Sequence, residues 1–285
     1  MKFRSAARRQ KGRLARLANM QHKALVICTM VLTSSALFAA AIETQGSMAT
    51  IGPGIFHSVI SEDDGDNEID ISIFLLDRRP VTNREFLEFI NANPEWSRGN
   101  AVRLFSDIGY LSHWVSATEL GQDVDAEQPL THVSWFAATA YCEAKGARLP
   151  RWYEWEFAAA ADATRADARD DPIWRQQILN WYATPGGRSL APIAQRAANF
   201  YGVHDLHGLV WEWVEDYNAL LVAADSREQG GADKIRFCGA GALSMERKED
   251  YAVLMRIAML SSLEAAYTTR NLGFRCAANV LEGAQ

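Results

Sequence analysis

The stretch Gly208-Leu209-Val210-Trp211-Glu212-Trp213 constrains this chain more than any other. Two indoles flank one carboxylate, just after a glycine. In a strand, Trp211 and Trp213 leave one face and Glu212 leaves the other. Each indole buries a large area and carries one N–H that needs an acceptor. The stretch therefore reads as a core strand entered through a Gly-rich turn, with the rest of the chain supplying its walls. Glu212, set between two such anchors, is expected to serve as a structural anchor or a ligand.

Charge divides the chain unevenly. The first 23 residues hold eight of the 29 Lys and Arg and no acid. Residues 24–285 hold 21 bases against 35 acids. A body so acidic repels phosphate backbones and anionic lipid, which excludes a nucleic-acid role. The basic start is followed by an apolar run, Ala24 to Ile42, that closes on Ala39-Ala40-Ala41. Basic flank, apolar centre and small residues are the pattern of a secretory signal, expected over 1–41, with Met20 as an alternative start. Nineteen apolar residues also just suffice for an uncleaved membrane anchor, the one route by which this chain would meet a membrane. Either way the expected location is the periplasm. Residues 42–49 are small and polar and read as a linker, and 50–280 as the folded domain.

Along that domain, Ile51 to Phe56 reads as a turn into a strand, and Ile69-Asp70-Ile71-Ser72-Ile73 alternates as a half-buried strand. The acidic segment between them reads as a solvated hairpin tip. Thr82 or Asn83 caps a helix whose Phe86, Phe89 and Ile90 share a face. Residues 91–125 are irregular, and the loop bearing Trp96 and Trp114 is expected either to line a groove or to be simply mobile. Ser134 caps a second helix from Trp135 that stops at Gly146, and a third runs from Tyr153 to Ala161. Ala163 to Gln177 reads as a surface helix or insertion. Tyr251 to Ser262 is apolar with Arg256 inside it, and Asn271 to Ala277 reads as a closing strand. Arg256, Arg275 and Glu212 sit in apolar context, so each is expected to need an ionic partner.

Cysteine usage leaves more than one outcome open. Cys28 lies in the signal, which leaves Cys142, Cys238 and Cys276 in an oxidising compartment, an odd number. One pair and one free thiol is the simplest result. Cys238 is the candidate catalytic or redox residue, with Arg236 and Arg256 able to make its surroundings electropositive; the alternative is a small buried hydrophobe. His204 and His207, three apart beside the glycine turn, would complete a His2Cys set with Cys238, for which copper is the suited metal.

Five ordered motifs carry a family resemblance. They are Pro80-Val81-Thr82-Asn83; Val133-Ser134-Trp135 with Ala140-Tyr141-Cys142; Arg148-Leu149-Pro150 leading to Glu154-Trp155-Glu156; Gly208 to Trp213; and Asn271-Leu272-Gly273-Phe274-Arg275-Cys276. In order and spacing the chain resembles the formylglycine-generating enzyme (sulfatase-modifying factor) family over residues 50 to 278. The resemblance implies an α+β fold related to C-type lectins, with much irregular backbone, and a disulfide joining Cys142 to Cys276.

It does not imply the family's activity. Members that make formylglycine oxidise a substrate cysteine with oxygen, using copper held by two cysteines between a Gly-Gly-Ser-like turn and the final motif. Here that interval, Ser244 to Arg270, contains no cysteine. Leu209 stands where the family usually has a calcium-binding Asn and offers only its carbonyl. Cys238-Gly239-Ala240-Gly241 replaces the usual Arg-Gly-Gly-Ser. The Phe237 to Ala242 turn and Tyr267-Thr268 resemble relatives that accompany copper nitrite reductase. Other relatives act in pyoverdine maturation. The expected function is thus an accessory or maturation factor for another periplasmic protein or its metal centre. An oxidoreductase of the pyoverdine type and a non-catalytic binding module are the alternatives.

Overall fold

A computed structural model of the chain describes residues 47–59, 68–183, 190–218 and 251–280. The fold is α+β, with short strands, short helices and long irregular connections. Four strands come first: β1 (Met48–Ile51), β2 (Gly54–His57), β3 (Glu68–Ile71) and β4 (Phe74–Asp77). β1 pairs antiparallel with β4, and β2 with β3. The linker expected over 42–49 is thus too long by two residues, because Met48 and Ala49 are buried and Met48 already lies opposite Asp77. The tip of the β2–β3 hairpin lies outside the described residues.

Helix α1 (Asn83–Ala92) starts in a capping box: the Thr82 hydroxyl accepts from the Glu85 N–H, and the Glu85 carboxylate accepts from the Thr82 N–H at 2.9 Å. Two orphan donors of the first turn are satisfied this way. The helix buries Phe86, Phe89 and Ile90. Phe86 packs against Tyr141, Trp114 and Phe274, drawn from three other segments. Trp114 is therefore core, not groove lining. Its indole N–H donates to the Asn83 side-chain oxygen at 3.1 Å, inside the irregular segment that Asn83 ties down.

Helix α2 (Trp135–Ala144) is capped by Ser134 and followed by Gly146 at φ +69°. Helix α3 (Trp152–Ala159) follows, then α4 (Pro172–Ala183). The helix expected over 163–177 therefore begins nine residues late. The preceding loop is held by Arg165, which bridges Asp162 and Asp171, and Pro172 sits at the helix start that its fixed φ suits.

The Trp211 strand is brief: β5 (Trp211–Glu212) pairs in parallel with β6 (Leu272–Gly273). Helix α5 (Tyr251–Ser261) precedes β6, and β7 (Ala277–Asn279) joins the free side of β4, giving the order β1-β4-β7. The closing strand expected over 271–277 is thus two short strands, with Arg275 and Cys276 in the break. Gly273 is required there, since a Cβ would meet the Leu130 carbonyl oxygen at 2.4 Å. Cys142 on α2 is bonded to Cys276 across 134 residues of sequence. Among the described residues no helix is long and apolar enough to cross a membrane.

Candidate functional site

Glu212 faces inward. Its carboxylate accepts from Arg275 Nε at 2.7 Å and Nη2 at 2.8 Å, and from the Trp155 indole N–H at 2.7 Å. Arg275 is itself fully buried, and its remaining N–H groups donate to the carbonyls of Asp77 and His204. Trp213, also fully buried, donates its N–H to the Val133 carbonyl. Trp211 packs against Tyr182 of α4. Every partner is internal, so Glu212 anchors four segments and has no lone pair committed outward.

Beside this network lies a second buried pair. Arg256 of α5 donates Nε to Glu156 of α3 at 2.6 Å, with Nη2 on the other carboxylate oxygen and Nη1 on the Tyr182 hydroxyl. Its guanidinium lies 5.0 Å from the centre of the Trp155 ring, a cation–π contact. Glu156 holds the Arg256 pKa above its ordinary value against the cost of burial.

Each histidine of the proposed metal set gives one ring nitrogen to the backbone. His204 Nδ1 donates to the Arg196 carbonyl at 2.8 Å, and His207 Nε2 to the Ala159 carbonyl at 2.7 Å. His207 is boxed by Trp155, Trp174 and Trp181, with ring centres within about 6 Å. Burial, with Arg256 close by, pushes its pKa down to about 3, so the ring is neutral. Its Nδ1 has no partner among the described residues. Cys238 lies outside the described residues. A second histidine pair stacks His113 on His132 at 4.8 Å. His132 adopts φ +53° and meets the Ser112 hydroxyl.

The described chain does not fit the copper site of the formylglycine-making members. That site needs two thiolates, which are soft ligands suited to Cu(I). Cys142 and Cys276 are consumed in a disulfide, and the described part of the 244–270 interval carries Arg256 inward on α5. Among the described residues no group of three or more His, Cys, Asp or Glu side chains is placed to hold a metal. Leu209, half-buried after the Gly208 turn, brings no side-chain oxygen to a calcium ion.

A concavity opens elsewhere. A cleft of about 470 Å³ lies between α4 and the loop 194–207, with Trp174, Gln177 and Trp181 on one side and Arg196, Asp205 and His207 on the other. Arg196 lies 4.5 Å from the Trp181 ring and donates to the His207 carbonyl and to Asp205. Asp205 at φ +58° and Ala194 at φ +56° take left-handed backbone, and the Asp205 carboxylate accepts the Ala194 N–H to hold the turn. Gly208 is obligatory beneath Trp181, because a Cβ would stand 2.8 Å from the indole. Of these residues only His207 was a candidate from sequence. The signal for the rest is the spacing of Trp174, Gln177 and Trp181, which share one helix face once α4 starts at Pro172.

Residues 34–280 match the model of the sulfatase-modifying factor enzyme 1-like domain. Hercynine oxygenase of Mycobacterium tuberculosis is 35% identical over 161 residues, 51% of this chain and 38% of that protein. Inactive C-alpha-formylglycine-generating enzyme 2 of Mus musculus is 27% identical over 248 residues, covering 74% of this chain and 77% of the relative. Formylglycine-generating enzyme of Streptomyces coelicolor is 32% identical over 184 residues, 58% of each chain. Among solved structures, PvdO from Pseudomonas aeruginosa aligns with a TM-score of 0.44 at 16% identity, over 82% of this chain and 94% of that one. The chain thus spans well under half the length of the hercynine oxygenase it matches.

Proposed function

The chain belongs to the sulfatase-modifying factor enzyme 1-like family, and from that premise we propose that it is an exported member that does not make formylglycine and instead assists the maturation of another periplasmic protein, a copper enzyme being the leading partner. The observation that carries the negative half is the 244–270 interval: it has no cysteine, and its described part includes α5, pinned inward by Arg256. Without two thiolates there is no Cu(I) centre of the family type to activate oxygen. Export rests on the basic flank and the apolar run ending in three alanines. The accessory role rests on the sequences Phe237 to Ala242, which lies outside the described residues, and Tyr267-Thr268, which resemble the relatives that accompany copper nitrite reductase. An inactive relative at 27% identity is in keeping with this reading.

The chain's own residues supply scaffold chemistry. The Glu212–Arg275 and Glu156–Arg256 pairs fix α3, α5 and the β5–β6 ladder against one another, which gives a partner a rigid surface. The test has two arms. Purified protein loaded with Cu(I) and given a sulfatase-type cysteine peptide under oxygen is expected to leave the peptide mass unchanged; aldehyde formation overturns the reading. Co-expression with a copper nitrite reductase is expected to raise the copper content of that enzyme, and an unchanged content removes the accessory role.

A second reading is favoured by the hercynine oxygenase likeness: an oxidoreductase that uses a site other than a cysteine pair. Metal analysis and oxygen uptake separate the two. Stoichiometric redox metal that is lost in Cys238→Ser, with oxygen consumption, favours the oxidoreductase.

A further inference from the structure

Neither reading gives the cleft beside α4 a ligand, and its lining is selective. Its volume of about 470 Å³ is that of a small-ligand site. Its charges are closed within the protein. Arg165 is bonded to Asp162 and Asp171, and Arg196 to Asp205 and the His207 carbonyl. The Asp171 carboxylate also accepts the N–H groups of Ile173 and Trp174. The His207 imidazole is neutral, and its Nε2–H is already given to Ala159. An ionic ligand entering here would lose its hydration and find no unpaired counter-charge, which is costly.

What remains open to a ligand is apolar and neutral-polar. Trp174 meets His207 perpendicular, at 84°, whereas Trp181 is covered by Arg196 and Gly208. Trp174 is half-buried and lines the cleft, so part of its indole is open there. Gln177 lies one turn further on the same face of α4, exposed, and carries both an amide donor and an acceptor. Ile173, 79% exposed, extends the apolar surface at the mouth. A flat ring with one C–H face and a rim of hydroxyls matches this set. Its C–H bonds lie on the negative face of the indole, and its hydroxyls exchange hydrogen bonds with Gln177 and donate to spare carboxylate lone pairs.

We propose that the cleft between α4 and the loop 194–207 binds a neutral saccharide, with a pyranose ring on the Trp174 indole and its hydroxyls on Gln177. Binding is read directly, so its test needs no turnover. Titrating the full chain with glucose, N-acetylglucosamine, cellobiose and diacetylchitobiose is expected to change tryptophan fluorescence saturably in at least one case. Trp174→Ala should weaken that binding at least ten-fold, and Gln177→Ala about three-fold, roughly the loss of one modest hydrogen bond. Val115→Ala, on an exposed loop outside the cleft, should leave it unchanged. Gln177 is exposed, so its variant serves if Trp174→Ala does not fold. The proposal is overturned by the absence of saturable change with all four sugars, by undiminished affinity in both cleft variants, or by tighter binding of choline or inorganic phosphate.

Discussion

Glu212 and Arg275, 63 residues apart in sequence, meet side-on through two hydrogen bonds of 2.7 and 2.8 Å, and neither side chain is exposed to solvent. The pair joins the two strands of the β5–β6 ladder across their ends. Removing one partner leaves the other buried and uncompensated. Glu212→Gln should therefore destabilise the domain by about 3–5 kcal/mol, read from the shift of a denaturant midpoint at unchanged slope. Replacing both residues with leucine should cost less than the single change, because no charge is left behind. Equal losses in the single and double variants would show that the carboxylate acts by shape alone.

The Cys142–Cys276 bond closes a long loop between α2 and the segment before β7. In the chain-entropy account such a crosslink restricts the unfolded chain by about 5 kcal/mol. Paired Cys142→Ala and Cys276→Ala changes should lower the thermal midpoint by at least several degrees. The reduced wild-type protein should melt at the same temperature as the double variant. Mass analysis of the native protein should find these two thiols blocked.

Asp77 sits where β4 passes Cys276, and accepts the Cys276 N–H at 2.9 Å. Burial outweighs that bond and lifts its pKa from 3.8 to about 6. The folded state thus holds this proton more tightly than the unfolded state does. Stability from this group is greatest below about pH 4 and falls as pH rises to about 6, opposite in sign to an ordinary salt-bridged carboxylate. Asp77→Asn keeps an acceptor without the charge. It should flatten that part of the pH profile and raise stability at pH 8 by on the order of 1–2 kcal/mol. Melting curves of both proteins between pH 4 and 8 check the slope directly.

Much of this domain was legible where local chemistry decides. Thr82 or Asn83 before Phe86, and Ser134 before Trp135, announce their helices through caps that need nothing distant, and the structure selects Thr82. The need of Arg256, Arg275 and Glu212 for partners follows from the cost of burying charge, but which carboxylate meets which guanidinium does not. Glu156 becomes the partner of Arg256 only because the fold brings the two side chains together across 100 residues of sequence. The linker boundary at 49 missed because Met48 and Ala49 owe their burial to β4 and the core behind it. The cleft was illegible for a similar reason. Trp174 and Gln177 share a face only after the start of α4 is known, and that start is set by a loop tied through Arg165. His204 and His207 show the same limit: their spacing does not announce the carbonyls of Arg196 and Ala159, which accept one ring N–H from each.

Arg256 and Glu156 offer the sharpest test of how α5 is held in place. The helix buries Ile257 and Leu260 as well, so apolar packing and the ion pair both attach it. If packing alone mattered, Arg256→Met would be nearly neutral, since a thioether fills much of the same space. The bonds from Arg256 to both Glu156 oxygens say otherwise, for methionine leaves that carboxylate buried beside Trp155 with its charge unmet. Arg256→Met should cost about 3–5 kcal/mol, and Glu156→Gln a similar amount through the stranded guanidinium. The two changes should be strongly non-additive, with the double variant recovering 1 kcal/mol or more of their summed loss, about the coupling seen between directly bonded residues. Limited proteolysis supplies a local readout: cleavage within 251–261 should rise in either single variant and less in the double. Additive losses, with α5 no more cleavable than in the wild type, would assign the attachment to Ile257 and Leu260 instead.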